Sequence, residues 1–401
     1  MLVDAAFPAD IRVRKEAESL VDKGYELTVV CREQSMGSTE IKGIRIIPIP
    51  ILRHKYLRGI ADIINAVIWI NLPFYFALRK LNKTSHWDII HTHDLPLANT
   101  GLRFKSTGTQ TILDLHENTP SAMKAWFELR KNIFIRLKNR IFFGFERWSK
   151  YERRMTTAYD AVITVVEEMK ERLVNQGCRP DKIRIISNYE NEKFAQSECG
   201  NKVALPEGNY LLYIGNYGPH RGLDTVIRAM ALRSYIPNDL RFVIAGIPNN
   251  QDTNDSLKAL IQEYKLEDKV VFTGKVDFSC FYFMMRHAWA NIIPHRSNTH
   301  TESTIPHKFY QSLMTGKPLL VSSCAPLKRF SKTYDLAAVF DAGNPESLAR
   351  EIQWLSNNYA KAMERAQRGY IFSFENSWEK KERLLLDLYQ NLSPQSSRTH
   401  Q

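Results

Sequence analysis

Short apolar runs rich in β-branched residues alternate with helical segments along this chain, and that alternation restricts it to parallel sheets covered by helices. Helical periodicity from Ile11 to Lys23, carried by Val13, Ala17, Leu20 and Val21, stops at Gly24 and leads into the apolar run Leu27 to Cys31. Comparable runs at Ile89 to His91, Thr111 to Leu115 and Ala161 to Val165 each follow a helical or loop segment. A second cycle opens after the polar stretch Gln196 to Gly208. Its strands are expected at Tyr210 to Ile214, Phe242 to Ala245, Val270 to Phe272, Ala290 to Ile293 and Pro318 to Ser322. Its helices are expected at Leu223 to Leu232, Asp255 to Tyr264, Phe278 to Arg286 and His307 to Thr315.

A chain of 401 residues with 44% hydrophobic content is too long for one ordinary core and long enough for two. The expected architecture is α/β, with two Rossmann-like doubly wound domains over residues 1–200 and 201–375. A C-terminal helix and polar tail over 376–401 are expected to return toward the first. Ligands of such sheets sit at the carboxyl ends of the strands, so the function is expected in a cleft between the halves.

Five cysteines, an odd set without a CxxC pair, suit neither a disulfide framework nor a zinc site and point to a reducing cytoplasm. Charges in MLVDAAFPADIRVRKEA arrive before any apolar core, unlike a signal peptide. The most apolar stretch, Ile60 to Leu78, is interrupted by Asp62, Asn65, Asn71 and Pro73, which suits a buried or interfacial helix better than a membrane span. A net charge of +12 draws anions of many kinds. Without zinc-finger spacing, an RNP-like sequence or a helix-turn-helix, nucleic acid is not the expected partner.

The segment STIPHKFYQSLMTGKPLLVSS, Ser303 to Ser323, carries the most chemistry. Pro306 fits a helix first turn, Gly316 the residue past its end, and Lys308 and Gln311 share a face. A helix start with an added lysine suits a diphosphate; the plain alternative is a strand-helix-strand with a solvated lysine. Upstream, YIGNYGPHRGLD places Gly215, Gly218 and Gly222 in a strand-to-helix turn, with Arg221 at the helix start.

Taken in order, FPADIRVRKEAESLVDKGYELTVVC, DIIHTHDLPLA, LDLHEN, YDAVITVVEEMKERL, ISNYENEKF, YIGNYGPHRGLD, FTGKV, TIPHKFYQSLMTGKPLL and SWEKKERLLLDLY resemble the family 4 glycosyltransferases over nearly the whole chain. The resemblance implies a GT-B fold of two facing Rossmann-like domains with the active site between them. It implies retaining transfer from a nucleotide diphosphate sugar, with no cofactor and no metal requirement. Arg221 and Lys308 are implied to hold the donor diphosphate and, with His116, to carry catalysis. The remaining implied donor contacts are Gly215, Asn216, Gly274, Lys275, Val276, Ser303, Thr304, Ile305, Pro306 and Gln311, with the base near the Thr273 to Val276 turn. Glu117 and Arg12 are the implied acceptor contacts. His116, as a neutral imidazole, is expected to donate to the sugar or to developing charge, with Glu117 orienting it.

Two departures from the family pattern stand out. Asn216 occupies the place of a second arginine. The family's paired glutamates eight positions apart fall at Ser303 and Gln311, with Glu302 one residue off register. Gln311 can still reach ribose hydroxyls, so Gln311→Glu is expected to be tolerated and Gln311→Ala to weaken donor binding.

His91, His93 and Asp94 form an HTHD run. The two histidines would share a strand face while Asp94 points away, and no third metal ligand is in view. Between Lys124 and Arg154, ten Lys or Arg stand against three Glu, interleaved with Trp126, Phe127, Phe134, Phe142, Phe143, Phe145, Trp148 and Tyr151. This pattern suits either peripheral contact with an anionic membrane or a solvated helix packed on the first domain. The acceptor expected at such a membrane is a lipid-linked saccharide or cell-surface polysaccharide. A nucleotide-sugar epimerase of the same fold and a non-catalytic binding subunit are the alternatives.

Overall fold

The computed structural model describes residues 1–33, 40–51, 54–127, 133–200, 203 and 205–393. The chain forms two compact units, Met1–Ser187 joined by the stretch from Lys381, and Asn188–Lys380. The divisions therefore fall at 187/188 and 380/381 rather than at 200/201 and 375/376. The first shift has a local cause: Asn188 Nδ2 donates to the Ile305 carbonyl at 2.7 Å, and the Glu190 carbonyl accepts from Trp378 N at 2.9 Å. Those bonds tie residues after 187 to the second unit. Within the polar stretch 196–208, residues 201, 202 and 204 lie outside the described residues.

The first unit is built on eight strands: β1 (Leu2–Val3), β2 (Leu27–Glu33), β3 (Glu40–Ile41), β4 (Ile44–Pro50), β5 (Ile89–His93), β6 (Gln110–Leu115), β7 (Ala161–Thr164) and β8 (Ile183–Ile185). Their order is β3-β4-β2-β1-β5-β6-β7-β8, with β3 antiparallel to β4 and the other pairs parallel. The helix Ile11–Asp22 starts where the sequence pattern places it, because the Asp10 side chain accepts from Arg12 N and Val13 N at 3.0 and 3.1 Å. The helix Arg383–Leu392 completes this unit: Leu385 is buried, Ser19 Oγ donates to Glu382 Oε2 at 2.6 Å, and Tyr389 bonds His91 Nδ1 at 2.8 Å.

Among its described residues the second unit has six strands: β9 (Tyr210–Ile214), β10 (Arg241–Ala245), β11 (Val270–Gly274), β12 (Ala290–Ile293), β13 (Leu319–Ser322) and β14 (Ala338–Phe340). All pairs are parallel, in the order β11-β10-β9-β12-β13-β14. That is the doubly wound dinucleotide-type order, whose winding reverses between β9 and β12. Both faces of β9 are buried. Leu211 and Tyr213 pack with Val226, Phe242 and Ile244, while Tyr210, Leu212 and Ile214 pack with Val243, Met284 and Met314.

Two readings need correction here. Cys199 and Cys280 form a disulfide, a pairing that no sequence spacing announces; Cys31, Cys178 and Cys324 are buried and take no part in a disulfide. The apolar stretch around Ile60 to Leu78 is not one helix but two, Lys55–Ile68 and Leu72–Leu81, with a bend of 71° at the break. Pro73 sits in the first turn of the second helix, where its missing N–H costs no hydrogen bond. Among the described residues no single helix is long and apolar enough to cross a membrane. Phe74 and Leu78 enter the core, whereas Ile60, Ile64, Val67 and Ile68 remain exposed, so the stretch divides into a helix packed on the core and one with an exposed apolar face.

The basic-aromatic segment also divides. Residues 128–132 lie outside the described residues, as do the side chains of Trp126, Phe127 and Phe134. Trp148 and Tyr151 are core residues of the first unit. Tyr151 stacks on Trp69 at 3.9 Å between centroids, and Trp148 meets the same ring edge-on at 5.0 Å. Arg147 lies 4.2 Å over the Trp69 ring and donates to the Phe142 and Ala66 carbonyls, satisfying an acceptor in the last turn of the Lys55–Ile68 helix.

Candidate functional site

In the second unit, the turn after β9 and the loop after β12 meet at the point where the winding reverses. Gly222 makes that approach possible. Its φ is +68°, and a Cβ there would fall 1.9 Å from the Pro294 carbonyl oxygen. Gly215, at φ +110°, leaves room for Lys308: a Cβ would lie 2.9 Å from the lysine Cε. The ammonium of Lys308 donates to the Tyr213 hydroxyl at 2.9 Å and stands 4.1 Å from that ring's centroid. Arg221 Nη1 meets His295 Nε2 at 2.8 Å, while its buried Nε has no hydrogen-bond partner. Burial, and then the charge of Arg221, hold the Lys308 pKa well below the usual lysine value. Among the described residues neither cation meets a carboxylate.

The other expected donor contacts lie in the segments that follow β9, β11 and β12. Asn216 is exposed and its carbonyl accepts from the Tyr213 hydroxyl at 2.8 Å. Gly274, Lys275 and Val276 lie at the carboxyl end of β11, the strand at the sheet edge beyond β10. Ser303 Oγ donates to the Thr299 carbonyl at 3.0 Å. Thr304 is partly buried and Pro306 takes the N-cap position. Ile305 has its side chain buried and its carbonyl engaged by Asn188, which removes it as a direct contact through either group. The helix that follows spans only His307–Leu313, shorter than expected, so side-chain charge rather than a long macrodipole makes the seat attractive to anions.

Gln311 and Glu302 depart from their expected roles. Gln311 is buried and its Nε2 donates to Glu190 Oε2 at 2.7 Å, so the amide expected at ribose hydroxyls is spent on a carboxylate of the same unit. Glu302 does not stand in for the missing acid at 303. Its carboxylate accepts from Ser297 Oγ at 2.6 Å and from Ala325 N at 2.7 Å, at the start of the helix Ala325–Tyr334.

In the first unit, a buried charge network gathers at the ends of β5 and β6. Arg12 holds Asp114 with two hydrogen bonds, Nε to Oδ2 at 3.0 Å and Nη2 to Oδ1 at 3.1 Å. Its Nη1 donates to the Ile186 carbonyl at 3.0 Å, and Nε lies 3.2 Å from Glu16 Oε1. With 3% of its surface exposed, Arg12 is consumed by its own unit and is not the acceptor contact the resemblance implies.

His116 lies with Nδ1 3.4 Å from Asp94 Oδ2 and Nε2 3.3 Å from Asp114 Oδ2. Burial pulls its pKa down, but the charges of Asp94 and Asp114 outweigh that and raise it to about 10. The imidazole is therefore an imidazolium at neutral pH, not the expected neutral ring. The carboxylates of Asp94 and Asp114 meet it, and Glu117 beside it in sequence is half-buried. Asp94 adopts φ +63°, ψ 155°, an unfavourable region costing about 1–3 kcal/mol. That geometry turns its carboxylate onto the His116 ring and backbone N–H.

His91 and His93 share a face, as expected, with rings stacked at 4.3 Å. Two further residues complete what the sequence did not show: ligand atoms of Glu16, His91, His93 and Asp114 all lie within 4.8 Å of one another. The Arg12 guanidinium lies against the carboxyl groups of both Glu16 and Asp114, and burial pushes the Glu16 pKa up to about 8.

Two measurements test these assignments. In NMR titrations the His116 ring is expected to remain protonated through pH 9, and Asp94→Asn to lower its pKa by about 1–3; a midpoint near 6.5 in the parent would remove the two-carboxylate account. Gln311→Glu would set a second buried carboxyl against Glu190 and destabilise by about 3 kcal/mol at pH 7. Its folded-state pKa would lie above the unfolded value of about 4.3, so the deficit should vanish at low pH and grow as pH rises through that value. Denaturant melts at pH 4 and pH 7.5 decide this, equal deficits counting against the Glu190 contact.

Residues 10–189 match the family described as "Glycosyltransferase Family 4", and residues 199–371 match "Glycosyl transferases group 1". The chain is 23% identical over 364 residues to the uncharacterized glycosyltransferase MJ1178 of Methanocaldococcus jannaschii, covering 90% of this chain and 88% of that protein. Among solved structures, sucrose-phosphate synthase of Thermosynechococcus elongatus superposes with a TM-score of 0.74 at 17% identity, covering 98% of each chain. Anabaena Alr3699/HepE in complex with UDP gives 0.70 at 12% identity, covering 97% of this chain and 99% of that one. With both units matched and both sheets wound as this fold requires, the chain belongs to the GT-B glycosyltransferases of the family 4 type.

Proposed function

We propose that this glycosyltransferase is a retaining enzyme that moves a sugar from a nucleoside diphosphate donor to a lipid-linked saccharide or cell-surface polysaccharide at the cytoplasmic face of an anionic membrane. The observation that carries the donor half is the seat at the β9/β12 reversal, where Arg221 and Lys308 converge without a carboxylate among the described residues. The charge of Arg221 disfavours charging of the buried Lys308, a cost that an arriving anion relieves. The UDP bound by the similarly folded HepE supports a nucleoside diphosphate as that anion. Gly215, Asn216, the Gly274 to Val276 turn, Ser303, Thr304 and Pro306 complete the donor assignment; Gln311 acts through Glu190 rather than directly.

In the reaction, the bond between the anomeric carbon and the donor phosphate oxygen breaks, its electron pair going to that oxygen. The acceptor hydroxyl oxygen forms the new bond on the same sugar face, and its proton passes to the departing phosphate. Arg221 and Lys308 stabilise the charge gained by the leaving group, the largest electrostatic demand of the step. No metal or other cofactor is assigned a role. The first unit is assigned to the acceptor, with Glu117 as a contact and the His116 imidazolium as a fixed positive charge.

The membrane half rests on the Lys55–Ile68 helix, whose Tyr56, Leu57, Ile60, Ile64, Val67 and Ile68 are exposed. Leu137 and Ile141 of the neighbouring helix Ile133–Phe142 are exposed as well. Arg58 and Arg140 are exposed on the same helices, with Lys138 partly so. Apolar side chains bordered by cations suit insertion into an anionic headgroup layer.

Arg221→Ala and Lys308→Ala are each expected to cut transfer by an amount equivalent to about 1.5–3 kcal/mol while leaving thermal unfolding cooperative; normal turnover in both would overturn the donor seat. The protein is expected to sediment with phosphatidylglycerol vesicles, less so as salt is raised. The double substitution Ile60→Asp and Ile64→Asp should abolish this, and indifference of the parent to such vesicles at low salt would end the membrane reading.

A further inference from the structure

The seat holds more basic groups than a diphosphate clamp of one arginine and one lysine. His220 stands beside Arg221 in the turn Pro219–Arg221, with its ring against the backbone of Gly218, where an added Cβ would lie 3.4 Å from His220 Cε1 and Nδ1. Its carbonyl accepts from Arg296 N at 3.0 Å, which fixes the turn onto the loop after β12. His300, from that loop, faces it edge-on at 6.0 Å between ring centroids. His295 completes the group, and its state follows from geometry. Arg221 can only donate, so the nitrogen it meets must be an acceptor, and the ring is neutral with its proton on Nδ1.

The surroundings of His220 all act in one direction. Burial, then Arg221, His300 and Lys308, lower its pKa to about 3. The nearby acids are engaged elsewhere: Asp224 pairs with Arg296, and Glu302 binds Ser297 and Ala325 N. Tyr213, on β9, is occupied with Lys308 and the Asn216 carbonyl. His220 is therefore neutral in the seat without an anion, and the missing component is negative charge.

We propose that His220 is a proton-linked contact of the diphosphate: neutral before the donor arrives, it takes one proton from solvent as the donor binds and becomes a third cationic donor beside Arg221 and Lys308. The proposal rests on the donor-seat reading above. An opposite charge within about 4–6 Å raises a pKa by about 1–3, and a sugar diphosphate brings two. His295 has the complementary duty of remaining neutral to orient Arg221. Because the protonated form of His220 is favoured only in the complex, donor affinity must fall as pH rises from the free-state pKa to the bound-state pKa. The limit is about tenfold per pH unit for one proton.

Titration calorimetry of the full chain with UDP-glucose, GDP-mannose and ADP-glucose tests this, since their diphosphate diesters carry no proton that titrates near neutrality. Binding at pH 6 is measured in buffers of different ionisation enthalpy, which reports the protons taken up per donor bound. The expected result is an uptake of about 0.5 or more at pH 6 that declines by pH 8, with an affinity that weakens in parallel. His220→Gln should still bind, more weakly, with that uptake lost. Binding whose heat is independent of buffer, or an uptake unchanged in His220→Gln, would overturn the proton-linked role while leaving the donor seat standing. If none of the three nucleotide sugars binds, the donor seat itself falls and this role with it.

Discussion

The first unit depends on a guanidinium that almost never sees water. Arg12 joins the start of one helix, the end of β6 and the strand-exit carbonyl of Ile186 in a single set of hydrogen bonds. A buried ion pair is not stabilising merely by existing, because desolvation of both partners offsets much of their attraction. What it does is make every alternative worse: with Asp114 displaced, Arg12 would lose its two-pronged carboxylate partner and keep only Glu16 beside a buried charge. The same carboxylate then serves His116, and Asp94 bends into an unfavourable backbone region to serve it from the other side. The position and charge of His116 are consequences of how Arg12 is neutralised.

Much of the architecture was legible because parallel strands buried on both faces leave continuous apolar runs. β9 and β12 fall where the residue pattern puts them, and Ile11–Asp22 begins at the cap that Asp10 provides. β1 was not legible, since two residues carry no period, and neither was β4, whose two prolines disguise it beside the short edge strand β3. The helix after β9 and the helix His307–Leu313 were read too long, because apolar residues continue past the last helical turn, Ala231 and Leu232 partly buried and Met314 fully so.

The site was legible where chemistry is local and opaque where it is tertiary. Arg221 and Lys308 announce themselves through glycines and a proline nearby in sequence, and the structure brings them to one seat. Arg12 looked like a binding residue because its burial depends on Asp114, a hundred positions away. Gln311 looked like a weakened ribose contact because nothing in its own helix reveals Glu190. His220 and His295 were invisible as a pair for the same reason: one follows β9, the other β12, and only the reversal of winding between those strands makes them neighbours. The disulfide between Cys199 and Cys280 belongs with these, a contact between segments that share no pattern.

The segment from Lys381 onward is made only after the whole of the second unit, yet it belongs with Met1–Ser187. During synthesis the first sheet can assemble early, but Ser19 waits for Glu382 and His91 for Tyr389 until the second unit has been made in full. The second unit, contiguous from Asn188 to Lys380, has no such debt and can close on itself first. Order of emergence and order of completion are thus inverted: the unit translated first is the unit finished last, and a nascent chain that has emerged as far as residue 380 would present one complete unit and one still lacking the helix Arg383–Leu392.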